Sequence, residues 1–204
     1  MTMTVSPPGQ MTTSVTGAAT LETFNSGILP AGYTVVSCKY PAGCGVLSPA
    51  THHDNPTGDT TDFLATGQGT ITIDLATIES SFGLKSIDYF GLYWGSIDPY
   101  NSVSFWDGSH EVDSFTGTQV ASTAAAMGIP LTLGKSSLFV NFFANGNTWT
   151  TIELTSTSPN FESDNHAFGP VPEPATMALM GLGLVVVALI FRRRKGASGH
   201  AERG

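Results

Sequence analysis

Charge is scarce in this 204-residue chain: Asp, Glu, Lys and Arg together make up 12% of it, well short of the usual quarter. Basic residues are the rarest. Through Pro170 there are 14 acidic side chains against 3 basic ones (Lys39, Lys85 and Lys135), a net charge of −11. Such a body has no basic footprint for phosphates, which excludes a nucleic-acid partner. Cysteine is confined to Cys38 and Cys44. Their spacing is not CxxC and no second ligand pair exists, which excludes a zinc site. Catalytic signatures are also missing. There is no GxSxG and no HExxH. Gly134-Lys135-Ser136 is no phosphate loop: Gly128 stands one residue too far upstream, Pro130 interrupts, and a strand-like run follows. The chain is therefore not expected to be an enzyme. Finally, Met1–Thr20 holds neither Lys or Arg nor an apolar run, so it cannot act as a secretory signal.

What is present is glycine (23), proline (12) and much Ser and Thr, a composition that suits loops and strands better than helices. Gly69–Leu75 alternates, with Ile71, Ile73 and Leu75 on one face. Ile87–Trp94 is a denser apolar run that reads as a central strand. Ser102–Trp106 and His110–Phe115 flank Asp107-Gly108, a hairpin signal. Ser137–Phe143 and Trp149–Thr155 flank Asn145-Gly146, another such signal. Tyr33–Cys38 and Gly117–Ser122 complete about eight short strands, and Ala124–Gly128 reads as a helical turn or loop. The expected fold class is all-β, an antiparallel β-sandwich or jelly roll, followed by one C-terminal transmembrane helix. In domain terms, residues 1–32 form a poorly ordered or partial N-terminal segment and 33–169 the sandwich ectodomain. Residues 170–174 form a linker, 175–191 the membrane helix and 192–204 a basic cytoplasmic tail.

The tail carries the most explicit signal. Ala175–Phe191 is uncharged over 17 residues; as a helix it spans about 25 Å, slightly short of a bilayer core. Arg192, Arg193, Arg194 and Lys195 follow directly and fix that end in the cytoplasm, leaving the acidic body outside. Pro172 and Pro174 stop the helix from running backward, which leaves Val171-Pro172-Glu173-Pro174 extended just outside the membrane. Physics alone also allows an ordinary anchor. The order Val-Pro-Glu-Pro, apolar span, basic cluster over Val171–Lys195 resembles the PEP-CTERM sorting domain. That resemblance implies an exosortase, a membrane-embedded cysteine protease, as processing partner, with Pro172, Glu173 and Pro174 as its recognition motif and Arg192–Lys195 as the basic stop. It also implies a membrane-anchored precursor that ends on the cell surface or outside a Gram-negative bacterium, with exopolysaccharide as a candidate partner. Export then calls for a Sec signal encoded upstream of Met1. The body resembles a family of exosortase-dependent surface proteins through Tyr89–Gly108, Val140–Phe143 and Phe161–Gly169, which supports location and fold more than biochemistry.

Three further groups of residues invite chemistry. In an oxidising compartment Cys38 and Cys44 pair across the turn formers Pro41 and Gly43, or remain two free thiols in a loop. Asp98, Asn101 and Asp107 lie around aromatic strands, and Asp164, Asn165 and His166 sit near the body's end. Their oxygens suit Ca2+, and turn chemistry explains the same residues. His52, His53, Asp54, Asp59 and Asp62 form a second polar loop, without the spacing of a calcium loop. Tyr93, Trp94, Tyr100, Trp106 and Trp149 offer either a stacking platform for sugars or ordinary packing. The functional reading is an exported surface or matrix protein with a structural or adhesive role; the alternative is a carbohydrate-binding module.

Overall fold

The computed structural model describes residues 1–52 and 55–171. Twelve strands appear among them: β1 (Thr2–Val5), β2 (Ala19–Glu22), β3 (Tyr33–Cys38), β4 (Gly45–Leu47), β5 (Phe63–Thr66), β6 (Gly69–Asp74), β7 (Tyr89–Gly95), β8 (Asn101–Asp107), β9 (His110–Thr116), β10 (Leu138–Phe143), β11 (Thr151–Ser156) and β12 (Phe161–Gly169). The first sheet runs β1-β10-β7-β12-β5-β4, with β2 also on β12. The second runs β3-β6-β11-β8-β9. The chain switches sheet at almost every connection from β5 onward, and β8–β9 is the exception. There Asp107-Gly108 makes the expected hairpin, with Gly108 at φ 58, a value that suits glycine.

The alternation read from the sequence is the alternation of burial. In β11 Ile152 and Leu154 are buried while Thr151, Glu153 and Thr155 are half-exposed, and β8 repeats this with Val103 and Phe105. One core cluster gathers these residues with Phe90, Leu92 and Trp94 of β7 and with Ile71 and Ile73 of β6. Its centre is aromatic: Phe105 stacks on Trp149 at 4.4 Å and meets Phe142 at 5.1 Å. β7 is buried along its whole length, as expected of a central strand. Its outward Tyr89 and Tyr93 join Phe139 and Ala167 in a second cluster, against which Met11 and Val15 pack.

Three expectations are corrected. Gly117–Ser122 is not a strand but the start of helix α2 (Gly117–Ala126). The Thr116 side chain and Gln119 form a reciprocal capping box, a local signal that outweighs the β-propensity of Val and Thr. A shorter helix, α1 (Leu75–Phe82), starts on the Asp74 carboxylate, which accepts from Thr77 N. β10 and β11 do not form a hairpin: β10 pairs with β1 and β7, and β11 with β6 and β8. Asn145-Gly146 turns the chain, but across to the other sheet. The segment 1–32 is not loose, because β1 pairs with β10, β2 pairs with β12, and Val5 and Phe24 are core residues. As to the transmembrane helix, none of the helices among the described residues is long and apolar enough to cross a membrane, and Ala175–Phe191 lies outside those residues.

Cys38 and Cys44 form a disulfide around the single turn Pro41–Gly43, with Cα atoms 6.3 Å apart. Cys38 ends β3 and Cys44 precedes β4, so the bridge ties an edge strand of one sheet to an edge strand of the other.

Candidate functional site

The sorting residues Pro172, Glu173 and Pro174, and Arg192, Arg193, Arg194 and Lys195, lie outside the described residues. What precedes them is well defined. β12 ends at Gly169, whose carbonyl accepts from Asp88 N at 3.0 Å. A Cβ at Gly169 would sit 2.7 Å from the Gly17 carbonyl oxygen, so only glycine fits there. Met1–Val171 form one compact unit. The body thus finishes at the residues where the sorting signal begins.

β12 itself carries the most unusual chemistry. Asn165 adopts φ 52, and the register against β7 shifts between Asp164 and Ala167. This bulge inserts one residue and reverses the phase of the strand. Phe161 and Phe168, seven positions apart, therefore both face the core. Asp164, opposite Tyr93, points to the outer side, while His166 points inward. His166 is fully buried against Phe24 and Phe90. Its Nδ1 lies 2.9 Å from the Tyr33 hydroxyl and its Nε2 lies 3.0 Å from Ser163 Oγ. Burial holds its pKa down to about 3, so it is a neutral core residue and not a ligand at the surface.

Asp164 meets Asp59, so the two polar stretches that look separate in the sequence converge. The Asp59 Oδ1 accepts from Thr61 N at 2.9 Å and from Thr61 Oγ1 at 2.6 Å, and the same hydroxyl lies 3.3 Å from Asp164 Oδ2. Asp59 Oδ2 and Asp164 Oδ1 are buried without a donor. Burial, and after it the hydrogen bond to Asp59, push the Asp164 carboxyl up to about 9. Asp164 therefore keeps its proton, which it can donate to Asp59.

The other expected ligands do not join them. Asn101 is a buried strut: its Nδ2 donates to the Asn160 carbonyl at 3.0 Å and its Oδ1 accepts from Ser156 Oγ at 2.6 Å. Asp107 occupies the hairpin at the far end of β8, about 20 Å from Asn101 by strand rise. Asp98 lines a different cavity, of about 200 Å³, with Tyr100, Asn160 and Glu162. Tyr100 donates to the Pro159 carbonyl at 3.1 Å. Desolvation, the hydrogen bond to Asp98 and the charges of Asp98 and Glu162 push its hydroxyl up to about 12. Asn165 serves as the bulge. Among the described residues no group of three or more His, Cys, Asp or Glu side chains is placed to hold a metal ion; His53 and Asp54 lie outside them.

The five aromatics do not form one platform. Trp94 stacks on Phe161 at 4.6 Å and Trp149 on Phe105 inside the core, and Tyr93 is 4% exposed with its hydroxyl on the Thr57 carbonyl. Tyr100 and Trp106 remain half-exposed.

No curated protein and no solved structure matches the chain. Residues 170–195 match the family model of the PEP-CTERM protein-sorting motif. This match covers the segment that carries the proline pair, the apolar span and the basic cluster in order, and it begins at the last residues of the folded body. Residues 170–195 thus carry a PEP-CTERM protein-sorting motif, which indicates an exported protein that exosortase sorts to the cell surface.

Proposed function

We propose that this chain is a surface-displayed structural or adhesive protein whose body is a jelly-roll sandwich and whose tail is read at Pro172-Glu173-Pro174 by an exosortase. The observation that carries the sorting reading is the match over residues 170–195, placed directly after the last strand of the body. A simple anchor needs apolar length and a basic stop, and has no use for a carboxylate between two prolines. The jelly-roll reading is supported by strand order. β5-β12-β7-β10 in one sheet and β6-β11-β8-β9 in the other are the two interleaved Greek keys of that fold, with β1 to β4 added at the edges. The structural role is supported by a closed aromatic core and by the disulfide that joins the two sheet edges.

The test is replacement of Pro172, Glu173 and Pro174 by alanine. Alanine favours helix, so membrane insertion is retained. In a host with an exosortase the wild type loses its tail, and the variant stays in the membrane with an intact mass through Gly204. Intact wild type on the surface of such a host overturns the reading in favour of an ordinary anchor. A second reading, a carbohydrate-binding module, is favoured by the outer face of the second sheet.

A further inference from the structure

The outer face of the second sheet is built almost entirely of hydroxyl side chains in register. One row crosses all five strands as Ser37, Thr70, Thr155, Ser102 and Thr116. The next crosses them as Thr34, Thr72, Glu153, Ser104 and Ser114. All ten are at least partly exposed, while their sequence neighbours Ile71, Val103, Phe115 and Leu154 fill the core. Five strands at ~4.8 Å spacing make each row about 19 Å long, with the rows about 7 Å apart. Within the array Thr70 and Thr155 hydroxyls lie 3.1 Å apart and Ser104 and Ser114 hydroxyls 2.9 Å apart. These pairs orient the groups and leave acceptor capacity outward, since each hydroxyl is one donor and two acceptors. Beyond the second row stands Trp106, opposite Thr151 and Glu111 and half-exposed.

The chemistry of this face selects its occupant. It holds no basic side chain, which excludes a polyanion. Between the rows its exposed apolar side chains are those at the bulge of edge strand β3, Val36 above all at 61%, too small and too peripheral for the desolvated core of a stable protein interface. It presents mixed donors and acceptors at a regular spacing, one central carboxylate for charge-assisted bonds to paired hydroxyls, and an aromatic ring at its border. The geometry points to a docking surface for a neutral polysaccharide chain, lying across the strands with its hydroxyls on the two rows and a sugar ring against Trp106. This deepens the second reading above and rests on the chain reaching the cell surface.

Affinity electrophoresis of the full chain in mild detergent, through gels containing dextran, laminarin, hydroxyethylcellulose or alginate, tests it. At least one neutral polymer retards the wild type, and alginate, which is acidic, does not. Ser104→Lys, Thr155→Lys and Trp106→Ala each weaken binding by about tenfold, the loss of one or two contacts. Thermal melts alongside confirm that the outward substitutions leave the body folded. Ser14→Lys, exposed in the segment whose Met11 and Val15 pack on the first sheet, leaves binding unchanged. Retardation by none of the neutral polymers overturns the proposal, as does preference for alginate or binding indifferent to the substitutions. Sedimentation that shows the face holding two copies together overturns it as well. The assay needs neither export nor processing, so its failure is separate from failure of the sorting reading.

Discussion

Replacing Asp164 by asparagine should flatten the alkaline side of the protein's stability profile. The folded chain holds the Asp164 proton up to about pH 9, against an ordinary value of 3.8. Between those limits the folded state binds one proton more than the unfolded state, so stability falls as pH rises, by ~1.4 kcal/mol per pH unit. His166 acts in the opposite sense. Its folded pKa of about 3 lies below the ordinary 6.5, so between those values the unfolded state binds the extra proton, and stability is lost as pH falls. The two slopes cancel from about pH 4 to about pH 6.5, and above that only the Asp164 slope remains, amounting to roughly 3 kcal/mol by about pH 8.5. Asparagine keeps the shape, still accepts from Thr61, and can donate its amide to Asp59. Urea unfolding at about pH 5, 6.5 and 8.5 should show the wild type weakening over the last interval. Asp164→Asn should hold level there, with a difference of up to about 3 kcal/mol. Parallel profiles for the two proteins would refute the account of a proton held on Asp164.

Cys38→Ser should cost about 2–2.5 kcal/mol on the chain-entropy account of so short a loop, and thiol alkylation of the intact, non-reduced wild type should label neither cysteine. Gly69→Ala should lower the melting temperature, because its Cβ would lie 2.1 Å from the Ser37 carbonyl oxygen and would push β3 off β6; a melt unchanged from wild type would mean that this edge gives way freely.

The parts of the fold that could be read from the chain are those with a local signal. β6 followed from alternation, β7 from a dense apolar run, and the β8–β9 hairpin from Asp107-Gly108, even though a bulge shifts its register after Phe105. β12 was hidden by its own bulge: Asn165 shifts the phase, so Phe161 and Phe168 never fall into a period of two. Asp164, Asn165 and His166 consequently looked like one polar loop, whereas Asp164 and His166 face opposite sides of a central strand. Residues 117–122 have strand composition, and only Thr116 with Gln119 marks the helix. Asn145-Gly146 announces a turn but says nothing about which sheet the next strand joins. The Asp59–Asp164 pair is separated by more than half the chain and leaves no trace in spacing. The sorting signal was legible because its three parts are contiguous and need no tertiary structure to be recognised.

The place of β12 also dictates an order of events. It lies between β7 on one side and β5 with β2 on the other, so until it is laid down the first sheet consists of three separate pieces, β1-β10-β7, β5-β4 and β2. Its pairing with β2, which sets Phe168 opposite Ala19, is the most non-local in the fold, and such steps come late. A chain that crosses a membrane from its N-terminus emerges with that gap open. The gap closes only when Phe161–Gly169 have passed, and the next residues to arrive are those of the sorting motif. Completion of the body and presentation of the tail are thereby made successive moments of a single passage.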